Sequence, residues 1–481
     1  MISISRAFLK SIPLSGIMLA LAGGMAPAAA HGTERGFVLL LPTGYYVLGG
    51  TLAVAASFVV LAVVPPAAIE GLSRARLPLG SVPAVSPAPT SLAACVVLCM
   101  LLLAGVYGSR DPLANPLPLA VWTVWWVGVT LLHAVLGNIW AYLNPWSGPL
   151  CLLSRLAGGR VGRPLLRYPL WLGYWPAIAL FLGFAWLELV YPAPDDPETL
   201  AIIAGLYWLA AFLGMLIFGE AAWTARAEPF SIFFRLVGGL SPLVFESTLD
   251  GTRFRPALAL PGAALIERDP LPLSGMLFVL LTLSSVSFDG LSRTFWWLAQ
   301  GDINPLEFPG RTAVMGRNTA GLLLSHAVLS LGYVAAAGLG WVMAGRAGAL
   351  RPMLGALVTS LIPISVAFHF SHYLPALLVD GQYALLAASD PFGSGLDLFG
   401  FEGAHVTTGF LNTYSGVRAI WDLQTAGIVV GHVASILIAH AIALRLLGSR
   451  RAAAISQAPL AIMMVLYTLF GLWLLSTPVV G

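Results

Sequence analysis

Charged residues are scarce in this sequence. Only 9% of the residues are Asp, Glu, Lys or Arg, whereas 58% are hydrophobic. A soluble domain carries about 25% charged residues, so the composition excludes a chain whose surface mostly faces water. The mean hydropathy is +0.87, and no long stretch returns to ordinary polarity, which excludes a separate soluble domain. We therefore expect an integral membrane protein.

Lysine and cysteine are also rare. Lys10 is the only lysine, and the arginines lie in short segments where they act as topology signals, so we expect the lipid bilayer and no nucleic acid as a partner. The number and placement of the three cysteines argue against a disulfide framework. Cys95 and Cys99 lie one helical turn apart, which a soft metal could use, although packing of small residues in a membrane helix is the favoured interpretation.

Residues 1–30 have the pattern of a secretory signal peptide. Arg6 and Lys10 precede a short apolar stretch, and residues 28–30 form an Ala-Ala-Ala cleavage site. Cleavage there would make His31 the first residue of the mature protein. An N-terminal histidine can chelate copper through its amino group and one ring nitrogen, although an incidental new terminus is the favoured interpretation.

Ten apolar windows follow the signal peptide, each close to the length that a helix needs to cross a bilayer. They are 37–63, 91–107, 118–141, 170–191, 199–223, 272–288, 318–343, 353–379, 424–447 and 456–476. Arginines concentrate in the loops after the odd-numbered windows, which predicts that these loops are cytoplasmic and that the mature N-terminus is periplasmic. We predict an all-α polytopic protein of the bacterial inner membrane, in which residues 31–481 form a single transmembrane helical domain.

Two of the expected periplasmic loops, 289–317 and 380–423, are long and rich in glycine, aromatic residues and carboxylates. Loops of this length without a helical pattern are often lids or binding loops. The first one contains three arginines against the charge rule, which indicates either anion binding or a packed loop: Arg293, Arg311 and Arg317. Between the fifth and sixth windows, residues 229–240 are expected to form an interfacial helix.

Five histidines fall within predicted spans, where ionisable groups are costly and therefore candidates for function. They are His326, His369, His372, His432 and His440. At about 1.5 Å per residue, His326, His372 and His432 lie ~10–12 Å below the outer ends of their spans. Imidazoles at one level predict a site for a divalent transition metal, zinc or copper, with His369 or His440 assisting. The alternatives are a bis-imidazole haem and hydrogen-bonded histidines that join helices.

Carboxylates lie on the same side of the membrane. Glu188 is about one turn from the outer end of the fourth span, and Asp289 ends the sixth. Either group could complete a metal shell or orient a histidine ligand, and we count Glu188 among the metal ligands. Asp289 and Arg293 are four residues apart, which is also the spacing of a simple helical ion pair.

Five segments resemble a family of bacterial membrane proteins labelled fenitrothion hydrolase. They are NPWSGPLCLLSRL (144–156), YPLWLGYWPAIALFLGFAWLELVYP (168–192), SVSFDGLSRTFWW (285–297), SHYLPALLVDGQYALLAASDPFGSGLDLFG (371–400) and VVGHVASILIAHAIAL (429–444). The resemblance covers most of the mature chain. It implies hydrolysis of an organophosphorus triester at its aryl ester bond, and it assigns no catalytic role to a particular residue.

The residues and the resemblance together give a hypothesis for a mechanism. A metal would activate water and polarise the phosphoryl oxygen, Asp289 would act as general base, and Arg293 would stabilise the developing charge. Trp296, Trp297 and Asp390 would bind a lipophilic substrate. The site would then be formed by 285–297, 318–343, 353–400 and 424–447.

Two other functions stay open, because intramembrane histidines and carboxylates mark transport pathways as readily as active sites. One is a permease for a metal or small solute, which the lack of an internal repeat disfavours. The other is a metal-binding subunit of a membrane complex, which would need a second membrane subunit.

Overall fold

The computed structural model describes residues 43–480, apart from 160–163, 249, 347 and 402. The predicted signal peptide and His31 lie outside the described residues. Ten helices of the described part are long and apolar enough to cross a membrane, which confirms a multi-pass membrane protein. They are α1 Thr43–Val63, α2 Ala88–Tyr107, α3 Pro116–Leu136, α4 Trp175–Leu189, α5 Pro197–Phe218, α6 Leu273–Ser292, α7 Arg311–Met343, α8 Leu350–Ser389, α9 Tyr414–Leu447 and α10 Arg450–Ser476.

Side-chain caps and proline set where several of these helices begin. The Asp196 side chain accepts a hydrogen bond from the amide of Thr199, and Pro197 occupies the first turn of α5. Asn115 caps α3 in the same way through the amide of Leu117. These groups satisfy amides that have no partner within the helix, which matters most where the helix end lies near lipid.

Loops alternate between two ends of the helix bundle. At one end, which we call the loop end, Arg110 pairs with Glu198, and the amide of Val480 donates to the carbonyl of Arg293. At the other, the sheet end, residues 76–83 pair with residues 243–259 in a small β-sheet. Each contact joins loops that ten alternating spans would place on the same side of the membrane. The charge rule predicts that the loop end is periplasmic.

The sheet is an addition to the predicted all-α fold. β4 Arg253–Ala259 lies at its centre, with β1 Arg76–Pro78 and β2 Val82–Pro83 along one edge and β3 Leu243–Ser247 along the other, all antiparallel to it. The β3–β4 hairpin turns at an Asp250-Gly251 pair, where Gly251 has a φ of +67°. An Asp-Gly pair between two apolar runs is a strong hairpin signal that the sequence analysis passed over.

The helices extend further at the loop end than the apolar windows indicate. α7 begins at Arg311, α8 runs to Ser389, and α9 begins at Tyr414. The two long loops are therefore 293–310 and 390–413. The predicted ends were wrong because a hydropathy window stops at the first polar residues, whereas a helix can continue beyond the hydrocarbon with its side chains in water.

Helices α6 and α8 form the centre of the bundle. In each of them, 89% of the most apolar 18-residue window is buried by protein, against 11% in α1. α6 packs against α4, α7 and α8, and α8 packs against α3 and α9. Polar side chains on α6 and α8 are consequently surrounded by protein and not by lipid.

The helix predicted to lie at the interface is instead buried. It spans Pro229–Val237, and all its residues except Arg235 are buried, with Phe230 and Phe233 against the ring of Trp126. The helix is amphipathic, but its polar side is satisfied by protein, since the Arg235 guanidinium donates to the carbonyls of Thr224 and Ala225. Glu228, which is fully buried, accepts hydrogen bonds from the first amides of this helix and from the Tyr207 hydroxyl.

Candidate functional site

Five polar side chains meet where α4, α6 and α8 pass each other near the loop end. We call this group the Asp289 cluster, and it consists of Glu188, Asp289, Arg293, His372 and Tyr373. Four of the five were singled out from the sequence. The structure brings those four together, although not around a metal.

Asp289 and His372 form a close contact between a carboxylate and an imidazole. Asp289 Oδ2 lies 2.7 Å from His372 Nε2, and the aspartate side chain is 1% exposed whereas that of the histidine is 25% exposed. An ionised carboxylate only accepts hydrogen bonds, so Nε2 carries the proton in this contact. In a neutral imidazole the remaining lone pair is then on Nδ1, which is the nitrogen free to accept a proton.

Arg293 lies one residue beyond the end of α6. Its guanidinium is 3.5 Å from Asp289 Oδ1, and its side chain is 46% exposed. The negative charge of Asp289 raises the pKa of Arg293, so the group is a permanent cation. Its backbone is fixed by the segment after α10, since the Val480 amide donates to the Arg293 carbonyl at 2.9 Å.

Tyr373 connects the two carboxyl groups. Its hydroxyl lies 2.6 Å from Glu188 Oε1 and 2.8 Å from Asp289 Oδ2. Both distances are those of hydrogen bonds between oxygens. The rings of His372 and His369 each pack edge-on against the Tyr373 ring, with centroids 4.8 Å away. The sequence analysis missed Tyr373. The one feature that could have drawn attention to it is that it directly follows His372 in an apolar span.

More charges surround the cluster at the loop end. Arg311 donates to the backbone carbonyl of Glu188 at 2.8 Å, and it does not contact the Glu188 carboxyl group. Asp195 interacts electrostatically with Arg311 and Arg293. Two of the three arginines that broke the charge rule, Arg293 and Arg311, therefore lie close to carboxyl groups.

Gly290 allows the close packing that this arrangement needs. A methyl group at this position would lie 3.3 Å from Leu474 of α10 and 3.9 Å from His372 Nδ1. The first distance is tighter than most real contacts, so the Leu474 side chain would have to move to admit a methyl group. A glycine directly after Asp289 keeps the carboxylate-bearing turn of α6 close to both neighbouring helices.

The other histidines have separate partners. His326 Nδ1 lies 3.5 Å from Ser284 Oγ, His432 Nδ1 bonds its own helix at Ile428, His440 Nδ1 is 3.1 Å from Gln457, and His369 Nε2 is 2.9 Å from the Trp126 carbonyl. Ser284 lies one and a half turns before Asp289 on α6, so His326 is ~7 Å deeper than His372. His326 and His372 therefore lie at different levels, although each is at a similar distance from the end of its own helix.

A metal does not fit the Asp289 cluster as it stands. Among the described residues, no group of three or more His, Cys, Asp and Glu side chains is arranged to hold a metal ion. The Tyr373 hydroxyl occupies the point between the two carboxyl groups where a shared metal would be, at hydrogen-bond and not at coordination distances. The zinc or copper site stays a prediction from the sequence.

The residues expected to bind substrate are spread apart. Trp296 is 51% exposed and packs edge-on against Trp473 near Arg293. Trp297 is held within the protein, since its Nε1 bonds Asn318 at 2.9 Å and Arg317 stacks on its ring. Of the two tryptophans, Trp296 is the more exposed.

Asp390 belongs to a different part of the molecule. It lies 18 residues beyond His372, which is about 27 Å along a helix. Its carboxylate accepts the amides of Ser394 and Gly395, which lower its pKa, and it lines a groove of about 740 Å³ with Tyr107. Through these hydrogen bonds Asp390 stabilises the loop that follows α8.

Comparison of the chain with protein-family models, curated proteins and solved structures finds no match. The resemblance to the fenitrothion hydrolase family therefore stays a prediction from the sequence.

Proposed function

We propose that this protein is a membrane-embedded hydrolase of lipophilic ester substrates, with organophosphorus triesters as the expected class. The observation that supports the proposal best is the 2.7 Å contact between His372 Nε2 and Asp289 Oδ2, with Arg293 on the other oxygen of the same carboxylate. A histidine oriented by a buried carboxylate is a recurrent general base, and an adjacent arginine can stabilise an anionic transition state.

The reaction would use the free nitrogen of His372. His372 Nδ1 takes a proton from a water molecule as the water oxygen bonds to phosphorus, and the bond between phosphorus and the aryl oxygen breaks. The proton then passes to the departing aryl oxygen, so that the products are a phosphodiester and a phenol. Arg293 interacts with the phosphoryl oxygen as negative charge grows on it.

Asp289 has two tasks in this scheme. It holds His372 in the tautomer with the proton on Nε2, and it stabilises the imidazolium that forms when Nδ1 is protonated. Because Asp289 is 1% exposed, its charge acts on His372 with little screening by water.

Exposure of the cluster is consistent with substrate access from the loop end or from the adjacent bilayer. Asp289 is the buried member of the cluster, whereas Arg293 is exposed and Glu188, His372 and Tyr373 are half-buried. Trp296 follows Arg293 by three residues and is 51% exposed. An aryl group could pack on that indole, as apolar groups commonly do in ligand sites.

The test measures phenol release from a chromogenic aryl dialkyl phosphotriester by the purified protein in detergent. We expect turnover by the wild type and a loss of about 10²–10⁴-fold in kcat for His372→Ala. His326→Ala is the matched control, since it removes a partly buried histidine of α7 that has no contact with the cluster, and it should retain turnover. The proposal fails if the wild type has no turnover or if His372→Ala retains it.

A proton-linked permease is the second candidate, and it is favoured by the tyrosine-bridged pair of carboxyl groups inside the bundle. A permease needs two compartments, whereas a hydrolase works in detergent without a gradient. Solute uptake by proteoliposomes, together with no triester turnover in detergent, would favour the permease.

We also propose the membrane and the orientation from the sequence. The arginine distribution supports the bacterial inner membrane with the loop end in the periplasm. Single cysteines at Ser109 and Ser81 should then be labelled by a membrane-impermeant reagent from opposite sides, with Ser109 accessible in intact spheroplasts.

A further inference from the structure

We infer that Glu188 is a neutral carboxylic acid that donates its proton to Tyr373, and that Tyr373 in turn donates to the ionised Asp289. The two carboxyl groups are then held close together by a chain of two protons. This chain takes the place of the metal that the sequence predicted. The inference rests on the geometry of the Asp289 cluster and does not require hydrolysis.

The first step is a count of hydrogens. The Tyr373 hydroxyl has one proton but lies within hydrogen-bond distance of two carboxyl oxygens, at 2.6 and 2.8 Å. A phenol can donate to one of them and accept at its own oxygen from the other. Two close contacts between oxygens therefore need two protons, and the second has to come from one of the two acids.

The second step decides which acid carries that proton. Asp289 has the His372 N–H on Oδ2 at 2.7 Å and the Arg293 guanidinium 3.5 Å from Oδ1, both of which favour its ionised form. Glu188 has no close ion pair among the described residues: Arg293 and Arg311 act on it only at longer range, Trp126 is a neutral neighbour, and the Arg311 hydrogen bond goes to its backbone carbonyl. The proton therefore resides on Glu188.

The third step is the consequence for the rest of the cluster. With Glu188 neutral, Asp289 is the single anion between Arg293 and His372, and the direction of each hydrogen bond is fixed from Glu188 through Tyr373 to Asp289. Glu188 is then a positioning residue that acts through Tyr373. An anionic Glu188 would instead compete with Asp289 for Arg293 and would leave Tyr373 with two acceptors.

The direct test is the infrared spectrum of the purified protein in its folded state, in the region of the C=O stretch of protonated carboxylic acids. We expect one such band to disappear in Glu188→Gln and to shift in Tyr373→Phe, where its acceptor is removed. Glu228→Gln is the matched control, because Glu228 is also bonded by a tyrosine hydroxyl but lies outside the cluster. That variant should leave the Glu188 band unchanged.

Unchanged acid bands in folded Glu188→Gln would overturn the inference. If that variant does not fold, Tyr373→Phe carries the test alone, and a spectrum without a shifted band overturns it. Titration with zinc and with copper adds a second readout. Stoichiometric binding that Glu188→Gln abolishes would show that a metal holds the two carboxyl groups together.

Turnover provides a functional readout that separates this inference from the proposed function. Glutamine resembles a protonated glutamic acid and can donate its amide hydrogen to Tyr373, so Glu188→Gln should keep kcat within a few-fold of the wild type. Glu188→Ala removes the donor and should lower kcat. A loss of activity in Glu188→Gln equal to that in Glu188→Ala would contradict a neutral Glu188, whereas no turnover in the wild type would contradict only the hydrolase.

Discussion

Replacement of Asp289 by asparagine is the most informative perturbation of the cluster, because it removes the charge and keeps the shape. The asparagine oxygen can still accept the His372 N–H, but a neutral partner no longer stabilises the imidazolium formed during the reaction. Two unit charges ~4 Å apart at an effective dielectric constant of about 20 interact with about 4 kcal/mol. Loss of that interaction in the transition state corresponds to about 10³-fold in kcat.

The same reasoning predicts how Asp289→Asn combines with His372→Ala. If Asp289 acts on the reaction only through His372, its charge has no effect once the imidazole is gone. The double variant should therefore have the kcat of His372→Ala alone, and the two single effects should not multiply. The assay is steady-state turnover of the chromogenic triester by all four proteins, with folding checked by thermal denaturation in the same detergent.

Multiplied effects in the double variant would refute this reasoning, since they would show that Asp289 contributes independently of His372. Asp390→Asn combined with His372→Ala serves as the control pair. Asp390 is about 27 Å further along the chain of α8, so its substitution should leave the effect of His372→Ala unchanged.

Three further predictions concern other parts of the molecule. Arg293→Lys should lower kcat at least tenfold, because an ammonium cannot reproduce the planar contacts of a guanidinium, whereas Arg317→Lys should leave kcat unchanged. Glu228→Ala leaves the buried amides at the start of the helix Pro229–Val237 without an acceptor and should destabilise the protein by about 2–4 kcal/mol in thermal denaturation. Since amides of the following loop lower the pKa of Asp390, its stabilising effect is complete above the unfolded pKa and disappears as pH falls through the folded value. Asp390→Asn should therefore make the loop 390–413 more sensitive to protease at pH 7, and this difference from the wild type should become smaller as the pH falls below 3.8, the ordinary pKa of aspartate.

The sequence alone was sufficient to find most of the candidate site. Glu188, Asp289 and His372 are ionisable groups in apolar segments, and the cost of placing such groups in a membrane singles them out without any structure. Arg293 was found because it broke the charge rule. Each of these residues is an exception either to the rule that spans lack ionisable groups or to the rule that periplasmic loops lack arginine. Such exceptions can be recognised in a single sequence.

The geometry between helices was less predictable. The depth argument placed His326, His372 and His432 together because it assumed that the helices end at one level. The ends of all three helices were predicted 7 to 10 residues too short, and from the observed ends the histidines still lie 15, 17 and 18 residues inside α7, α8 and α9. His326 nevertheless contacts Ser284, five residues before the Asp289 that His372 contacts, so distance from a helix end does not give depth in the bundle. Rotation of each helix about its axis adds a second unknown that hydropathy does not contain.

Tyr373 and the buried helix Pro229–Val237 show a further limit. Tyrosine is common in membrane helices, so nothing in its own pattern distinguishes a residue that connects two carboxyl groups from one at the bilayer interface. The helix was placed at the interface because its pattern is amphipathic, but its apolar residues are covered by protein and not by lipid.

Hydrolysis of the triester in water enriched with ¹⁸O tests the central claim most directly. If His372 and Asp289 activate water for attack at phosphorus, mass spectrometry will find the label in the phosphodiester product of the wild type and none in the phenol. Formation of both products should fall together in His372→Ala. Label in the phenol, or no product from the folded wild-type protein, would contradict the account.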